Sequence, residues 1–212
     1  ECIRALDKCG FFEVTSLSAD DAARGEMYRA NAERAAAEKK FASYGEFLQS
    51  LEMKAEIRDF DPVHIPRITQ LTNKSNQFNL TTKRYTQTEM ESVAADDGYI
   101  RLCGRLADKF GDNGIVSVVI GKKDGKSLHV ELWLMSCRVL KREMELAMLD
   151  RLVEECQKAG VEEIIGYYYP TKKNGMVAKL YEEFGFVQVS ADDDGNTVWR
   201  LETTNYTPKT TA

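Results

Sequence analysis

Three sets of residues in this chain have types and spacings that could do chemistry. Glu131 and His129 stand on the polar side of a strand read over Ser127 to Met135, where a carboxylate could deprotonate an amine directly or through water. Cys137 follows that strand near the start of a long helix, a position that lowers a thiol pKa and suits an acyl nucleophile. His129 cannot be its base, because eight extended residues at ~3.3 Å each hold the two roughly 25 Å apart. His64 is the other histidine. The loop Ser136 to Glu143 leads into the same helix and carries Arg138, Lys141 and Arg142. Backbone N–H groups at a helix start, with the helix dipole, bind phosphate oxygens, so this loop is a candidate anion site.

The third set is the run Gln70 to Tyr85, which holds Asn73, Asn76, Gln77, Asn79, Thr81, Thr82 and Arg84. Amides and hydroxyls lower stability when buried unpaired, so a stretch this dense in them lies in solvent or makes a specific network. The composition leaves both readings open; the resemblance given below implies that the run serves recognition of an acceptor or carrier. Asp59-Phe60-Asp61 superficially resembles the paired aspartates of a phosphoaspartyl phosphatase. Ala55-Glu56-Ile57-Arg58 before it is not the buried apolar strand that such a site needs, so the pair is read as coincidence.

The elements that would position these residues follow from periodicity. The first sixty residues are rich in Ala, Glu, Lys and Arg with helical spacing; Ser18 with Asp21, and Ser43 with Glu46, mark helix starts. Pro62 and Pro66 bracket a linker, and a short strand is expected from Arg67 to Leu71. Thr86 with Glu89 opens a helix that ends at Asp97-Gly98. Tyr99 to Ala107, Ile115 to Ile120 and Ser127 to Met135 read as three antiparallel strands joined by glycine turns. Alternation puts Leu128, Val130, Leu132 and Leu134 on one face of the last strand and His129, Glu131 and Trp133 on the other. A helix to Ala159, a strand from Glu163 to Tyr169, a helix carrying Asn174, Val177 and Tyr181, and strands at Val187 to Ser190 and Thr197 to Glu202 complete the order. The expected division is a helical connecting segment at 1–60, an α/β domain at 61–205 and a loose tail at 206–212.

Totals narrow the function. At 212 residues the chain holds one domain of ordinary core size with a small appendage. A net charge of -5 excludes a nucleic-acid backbone as the main partner, since that needs clustered Lys and Arg. No apolar run reaches bilayer length. The five cysteines are far apart without C-x-x-C spacing, so no metal is expected and a reduced cytoplasm fits. A chain beginning at Glu1 rather than Met is expected to be a fragment of something longer.

The order of elements from Lys126 to Phe186 resembles the segment in which GNAT acyltransferases build their pantetheine site. Arg138 stands at the first loop position of that family, Lys141 and Glu143 stand where it has glycines, and Asn174 and Tyr181 ahead of Gly185-Phe186 match in identity and spacing. The implied fold is GNAT-like: a mixed, mostly antiparallel sheet flanked by helices and preceded by a small helical segment. The implied cofactor residues are Met135, Arg138, Val139, Lys141, Arg142 and Asn174, with Tyr181 as general acid and Glu131 as base. A carboxylate at Glu143 would oppose a pyrophosphate by roughly 1 kcal/mol per charge pair in water and about 4 at an effective dielectric near 20. Weak binding of free coenzyme A is therefore expected.

Longer motifs are similar to the C-terminal half of FkbH-like proteins. They are Gln70 to Asn79, Thr81 to Tyr85, Phe110 to Gly114, Trp133 to Leu140, Tyr169 to Asn174, and Leu17-Ser18-x-Asp20-Asp21-x-x-Arg24-x-x-x-Tyr28. Such proteins join a HAD-superfamily phosphatase-like domain to a GNAT-like one and are linked to loading glycerate onto an acyl carrier protein for polyketide extender units such as methoxymalonyl. The resemblance implies an acyl carrier protein and an upstream HAD-like domain as partners, with the carrier's phosphopantetheine as the group handled. It leaves open a domain that only docks the carrier and, further off, a free-standing acetyl-CoA-dependent N-acetyltransferase.

Overall fold

The computed structural model describes residues 19–210, with the side chains of the first helix described at Gly25 and from Arg29 onward. Cys2, Cys9, Ser18 and the side chains of the motif from Leu17 to Tyr28 lie outside the described residues. Two units are present: residues up to Glu52 with Lys109–Gly111, and Met53–Asp108 with Asp112–Ala212.

The first unit holds α1 (Ala19–Glu38) and α2 (Tyr44–Ser50). Ser43 starts α2 as expected, its side chain accepting from the Glu46 N–H at 3.2 Å. Phe47 is buried, with the Phe41 and Tyr44 rings 5.9 and 5.8 Å away.

The second unit is an α/β fold on an eight-stranded, mostly antiparallel sheet in the order β1-β3-β4-β5-β6-β8-β7, with β2 paired to β5. The strands are β1 (Lys54–Arg58), β2 (Phe78–Asn79), β3 (Tyr99–Asp108), β4 (Gly111–Asp124), β5 (Ser127–Met135), β6 (Glu163–Tyr168), β7 (Val187–Ala191) and β8 (Thr197–Glu202). The helices are α3 (Ile65–Lys74), α4 (Gln87–Ala95), α5 (Met144–Lys158) and α6 (Leu180–Glu183). Two apolar cores cover the two faces. Ile65, Ile68, Leu71, Met90 and Val93 of α3 and α4 pack on Ile120, Leu132 and Leu134. Met144, Met148, Leu149, Leu152 and Val153 of α5 pack with Leu128, Val130, Trp133 and Tyr181. The capping box at Thr86 and Glu89 is complete.

Four expectations are corrected. Arg67 to Leu71 is helical, because Ile65, Ile68, Leu71 and Thr72 at helical spacing bury one face. Residues 54–58, assigned to the connecting segment, form β1 and pair in register with β3. The alternation in β5 breaks: Ile120 pairs with Leu132 but Gly121 with Val130, so Glu131 is an extra residue in the ladder. The bulge shifts the phase, moving Trp133 into the α5 core and Leu132 and Leu134 to the opposite one. The tail is tied down: Asp150 on α5 accepts from the Tyr206 hydroxyl at 2.5 Å and from the backbone of Lys209 at 2.9 Å and Thr210 at 2.8 Å.

Candidate functional site

Ligands of open α/β sheets settle at the carboxyl ends of parallel strands, where neighbouring strands part. Here the parallel pair is β5 with β6, and it holds register only from Ser127 with Glu163 to His129 with Ile165. Beyond that the strands diverge toward the loop before α5, and a linear arm aimed at the start of α5 would pass through the opening.

The chain itself fills that opening. Phe78 and Asn79 pair with Met135 and Leu134 on the edge of β5 that β6 leaves vacant. The Leu80 N–H donates to Trp133 at 3.0 Å, and its carbonyl accepts from the Tyr169 N–H at 2.9 Å, so residue 80 bridges the two strands. The Thr81 hydroxyl donates to the Glu131 carbonyl at 2.7 Å. Asn174, fully buried, gives one amide hydrogen to Asn79 and the other to Tyr169, both at 2.9 Å, while its oxygen accepts from the Thr171 N–H at 2.7 Å. Phe78 and Leu80 are buried in the α5 core. Lifting this segment out would forfeit about 1.5–3 kcal/mol of burial for each side chain and about 1 kcal/mol for each hydrogen bond. That loss is comparable with the ~5–15 kcal/mol that keeps a domain folded, so the segment is part of the fold and not a gate.

Most of the polar run is tied into a network. Asn73 donates to Thr69 and Tyr85 carbonyls, both at 3.1 Å. Asn79 is buried; it donates to Ser75 at 3.2 Å and accepts from the Thr82 N–H at 2.8 Å. Thr82 turns the chain with a φ of 54°, a left-handed conformation that a β-branched residue holds only when its surroundings impose it. Arg84 bonds to the carbonyls of Thr72 and Ser75 and to the Asn76 amide oxygen. Gln77 is exposed.

The expected acid and base are in different surroundings. Tyr181 is 1% exposed, its ring 4.8 Å from Phe186 and 6.3 Å from Trp199. Burial pushes its phenol well above the usual range, the Tyr167 backbone offsetting this only in part, and its hydroxyl makes no hydrogen bond of good geometry among the described residues. A Cβ at Gly166 would collide with this ring, so the glycine is what lets Tyr181 lie against the sheet. Tyr181 thus packs against the sheet with its hydroxyl closed off from solvent. Glu131 pairs with Lys83 at 2.6 Å and accepts from the Tyr85 hydroxyl at 3.2 Å. Desolvation first, then Glu131, keeps Tyr85 protonated. His129 shares a hydrogen bond of 2.7 Å with the Tyr167 hydroxyl.

The loop before α5 takes a left-handed path at two positions. Lys141 and Glu143 have φ of 63° and 60°, left-handed like the glycines they replace, at a cost of about 1–2 kcal/mol each. Arg142 is held by Asp108 at 2.9 Å, with side-chain exposures of 10% and 0%. Met135 and Val139 are core residues, and the Arg138 guanidinium donates to Ser136 at 3.1 Å. Glu145 in the first turn of α5 is raised above the usual carboxylate range by desolvation and by the nearby Glu143 and Glu183. Cys137 is exposed and lies in a turn that ends before α5 begins. The His64 ring faces the Arg58 guanidinium at 3.0 Å. Asp59 pairs with Arg101 at 3.1 Å and Asp61 caps the turn at Pro62, both structural roles. Among the described residues no cluster could hold a metal ion, and no helix is long and apolar enough to cross a membrane.

Sequence reasoning missed Phe78, Leu80, Tyr169 and Asp108. The alternation Phe78-Asn79-Leu80 inside a polar run was the available signal for a short strand.

The fold is that of the GNAT acetyltransferases. The ribosomal-protein-S18-alanine N-acetyltransferase from Escherichia coli superposes over 74% of this chain and 99% of its own, with 14% identity and a TM-score of 0.54. Ard1 from Thermoplasma volcanium covers 70% and 97%, with 16% identity and a TM-score of 0.53. The acetyltransferase yncA from Salmonella typhimurium, determined with its cofactor acetyl-CoA, covers 73% and 97%, with 15% identity and a TM-score of 0.53. No protein-family profile matches the chain. No curated protein matches it either. The residues here do not fit coenzyme A: the β5 edge is paired on both sides at Leu134 and Met135, and the start of α5 is crowded by carboxylates.

Proposed function

We propose that this chain is the GNAT-fold domain of an FkbH-like protein and serves the loading of a glyceryl or other acyl group onto an acyl carrier protein. Its part is recognition of the carrier; transfer belongs to the HAD-like half that such proteins place upstream, in the cytoplasm. The observation that carries this reading is the filled opening between β5 and β6, which denies a pantetheine arm the edge of β5. Supporting it, Tyr181 is closed off in the core and Arg142 is tied to Asp108. Within the polar run, the exposed Gln77 and Arg84 and the half-buried Asn76 remain for recognition.

The test is calorimetric titration of a purified acyl carrier protein, in its apo and phosphopantetheinylated forms, into the full chain. Both forms are expected to bind alike, because the arm has no crevice to enter. No acetyl transfer from acetyl-CoA to amines is expected, and Tyr181→Phe leaves carrier binding unchanged. Turnover of acetyl-CoA that Tyr181→Phe abolishes, or no binding of either carrier form, would overturn the reading.

A further inference from the structure

Charge is distributed unevenly along this chain. Residues 62–88, 132–142 and 164–181 contain no aspartate or glutamate, although the whole chain has a net charge of -5. These three stretches meet at the carboxyl ends of β5 and β6, through the bonds of Leu80 to Trp133 and Tyr169 and of Asn174 to Asn79. Some of their cations are neutralised in place, Lys83 by Glu131 and Arg142 by Asp108. Lys74, Arg84, Lys172 and Lys173 are exposed and form no ion pair among the described residues. Arg84 is held in position by the Ser75 carbonyl at 3.1 Å, so its guanidinium is already ordered.

The same rim exposes apolar surface. Tyr169 is 42% and Met176 56% exposed, and both belong to the acid-free stretch that carries Lys172 and Lys173. Aromatic, Met and Arg side chains are the types enriched where proteins dock. The acidic turn at Asp192 to Asp194 approaches this rim through Gly195, which lies beside Pro170. Asp192 is engaged by Asn196 at 2.9 Å, and no carboxylate of the turn pairs with Lys172 or Lys173 among the described residues.

We infer that the rim formed by residues 72–84 and 169–176 docks an acidic protein surface, with Lys172, Lys173 and Arg84 supplying the charge and Tyr169 and Met176 the apolar contact. The inference rests on the carrier-recognition reading and names the surface that would serve it. An acidic partner is favoured over a nucleic acid because the rim carries few cations on a chain whose overall charge repels phosphates. Charge complementarity of this kind acts mainly on association rate and is screened by salt.

The test uses the full chain with four probes: an apo acyl carrier protein, a poly-glutamate peptide, a poly-lysine peptide and a DNA duplex. Lys172→Glu combined with Lys173→Glu is expected to weaken carrier binding by about tenfold or more at low salt, with the difference vanishing near 1 M salt. Lys126→Glu, at the opposite end of β5, is expected to change nothing. Lys172 and Lys173 are exposed and form no ion pair among the described residues, so the melting temperature of the double variant should hold and separates lost binding from lost folding. Carrier binding that ignores the double reversal overturns this inference and leaves the proposed function standing. Poly-glutamate binding that depends on Lys172 and Lys173, without carrier binding, does the reverse. Preference for DNA or poly-lysine overturns the inference, and silence from every probe overturns both.

Discussion

The two ends of the β5–β6 pair solve one problem in different ways. At the end from Ser127 to His129 the strands satisfy each other directly, and Lys126 and Ser127 bond to Glu162 and Glu163 across the gap. At the end from Glu131 to Met135 they have parted, and residues 78–81 satisfy both through backbone and side chain. A parted pair of strands leaves backbone groups that must find partners elsewhere. Here a segment of the same chain takes them, and the space between the parted strands is core.

The comparison is sharpened most by equal cuts at the two ends. Leu80→Ala and Leu128→Ala each remove a fully buried side chain, and each should cost about 2–5 kcal/mol in denaturant unfolding. A Leu80→Ala cost below about 1 kcal/mol would make the filled end peripheral and break the equivalence. Asn174→Ala comes next. It strands the Asn79 and Tyr169 carbonyls, for about 1–3 kcal/mol, and should lower the urea midpoint without changing the slope.

Glu145→Gln tests the crowded helix start. Because the folded pKa of Glu145 is raised, the native state binds its proton more tightly than the unfolded chain does. Stability is therefore highest below the ordinary carboxylate value and falls as pH rises through the raised one. The variant should be more stable than the parent at neutral pH, with the gap closing in acid; an opposite slope would show that Glu145 is stabilising. Tyr181→Phe is the smallest effect, unchanged or up to about 1 kcal/mol more stable by thermal melt, since it deletes an unpartnered hydroxyl. A clear loss would mean that this hydroxyl has a partner after all.

How much of this was legible in the sequence depended on which interaction decided each element. Most strands and the helices α4 and α5 followed from periodicity because burial sets them, as at Leu128, Val130, Met148 and Leu152, whereas α3 was misread as a strand and β1 was missed. The phase change at Glu131 was not legible, because a bulge is a property of two paired strands and leaves each one's composition ordinary. The polar run was recognised as needing a network or solvent, and the network is what formed. That its partners lie on β5 and beyond β6 is a long-range fact, joining residues such as Asn79 and Asn174. Lys141 and Glu143 adopt the left-handed turn that glycines would make, but pattern alone does not show that Asp108 holds Arg142 or that carboxylates crowd Glu145.

Native-state amide hydrogen exchange at Leu80 and Tyr169 tests the central claim most directly, measured with and without excess coenzyme A. Both amides donate within the bridge between β5 and β6. The account predicts that they exchange only through global unfolding, at the same free energy as amides in the middle of β5, and that coenzyme A does not change their rates. Exchange by low-energy local opening, or rates altered by coenzyme A, would show a segment that leaves the crevice to a ligand and would contradict it.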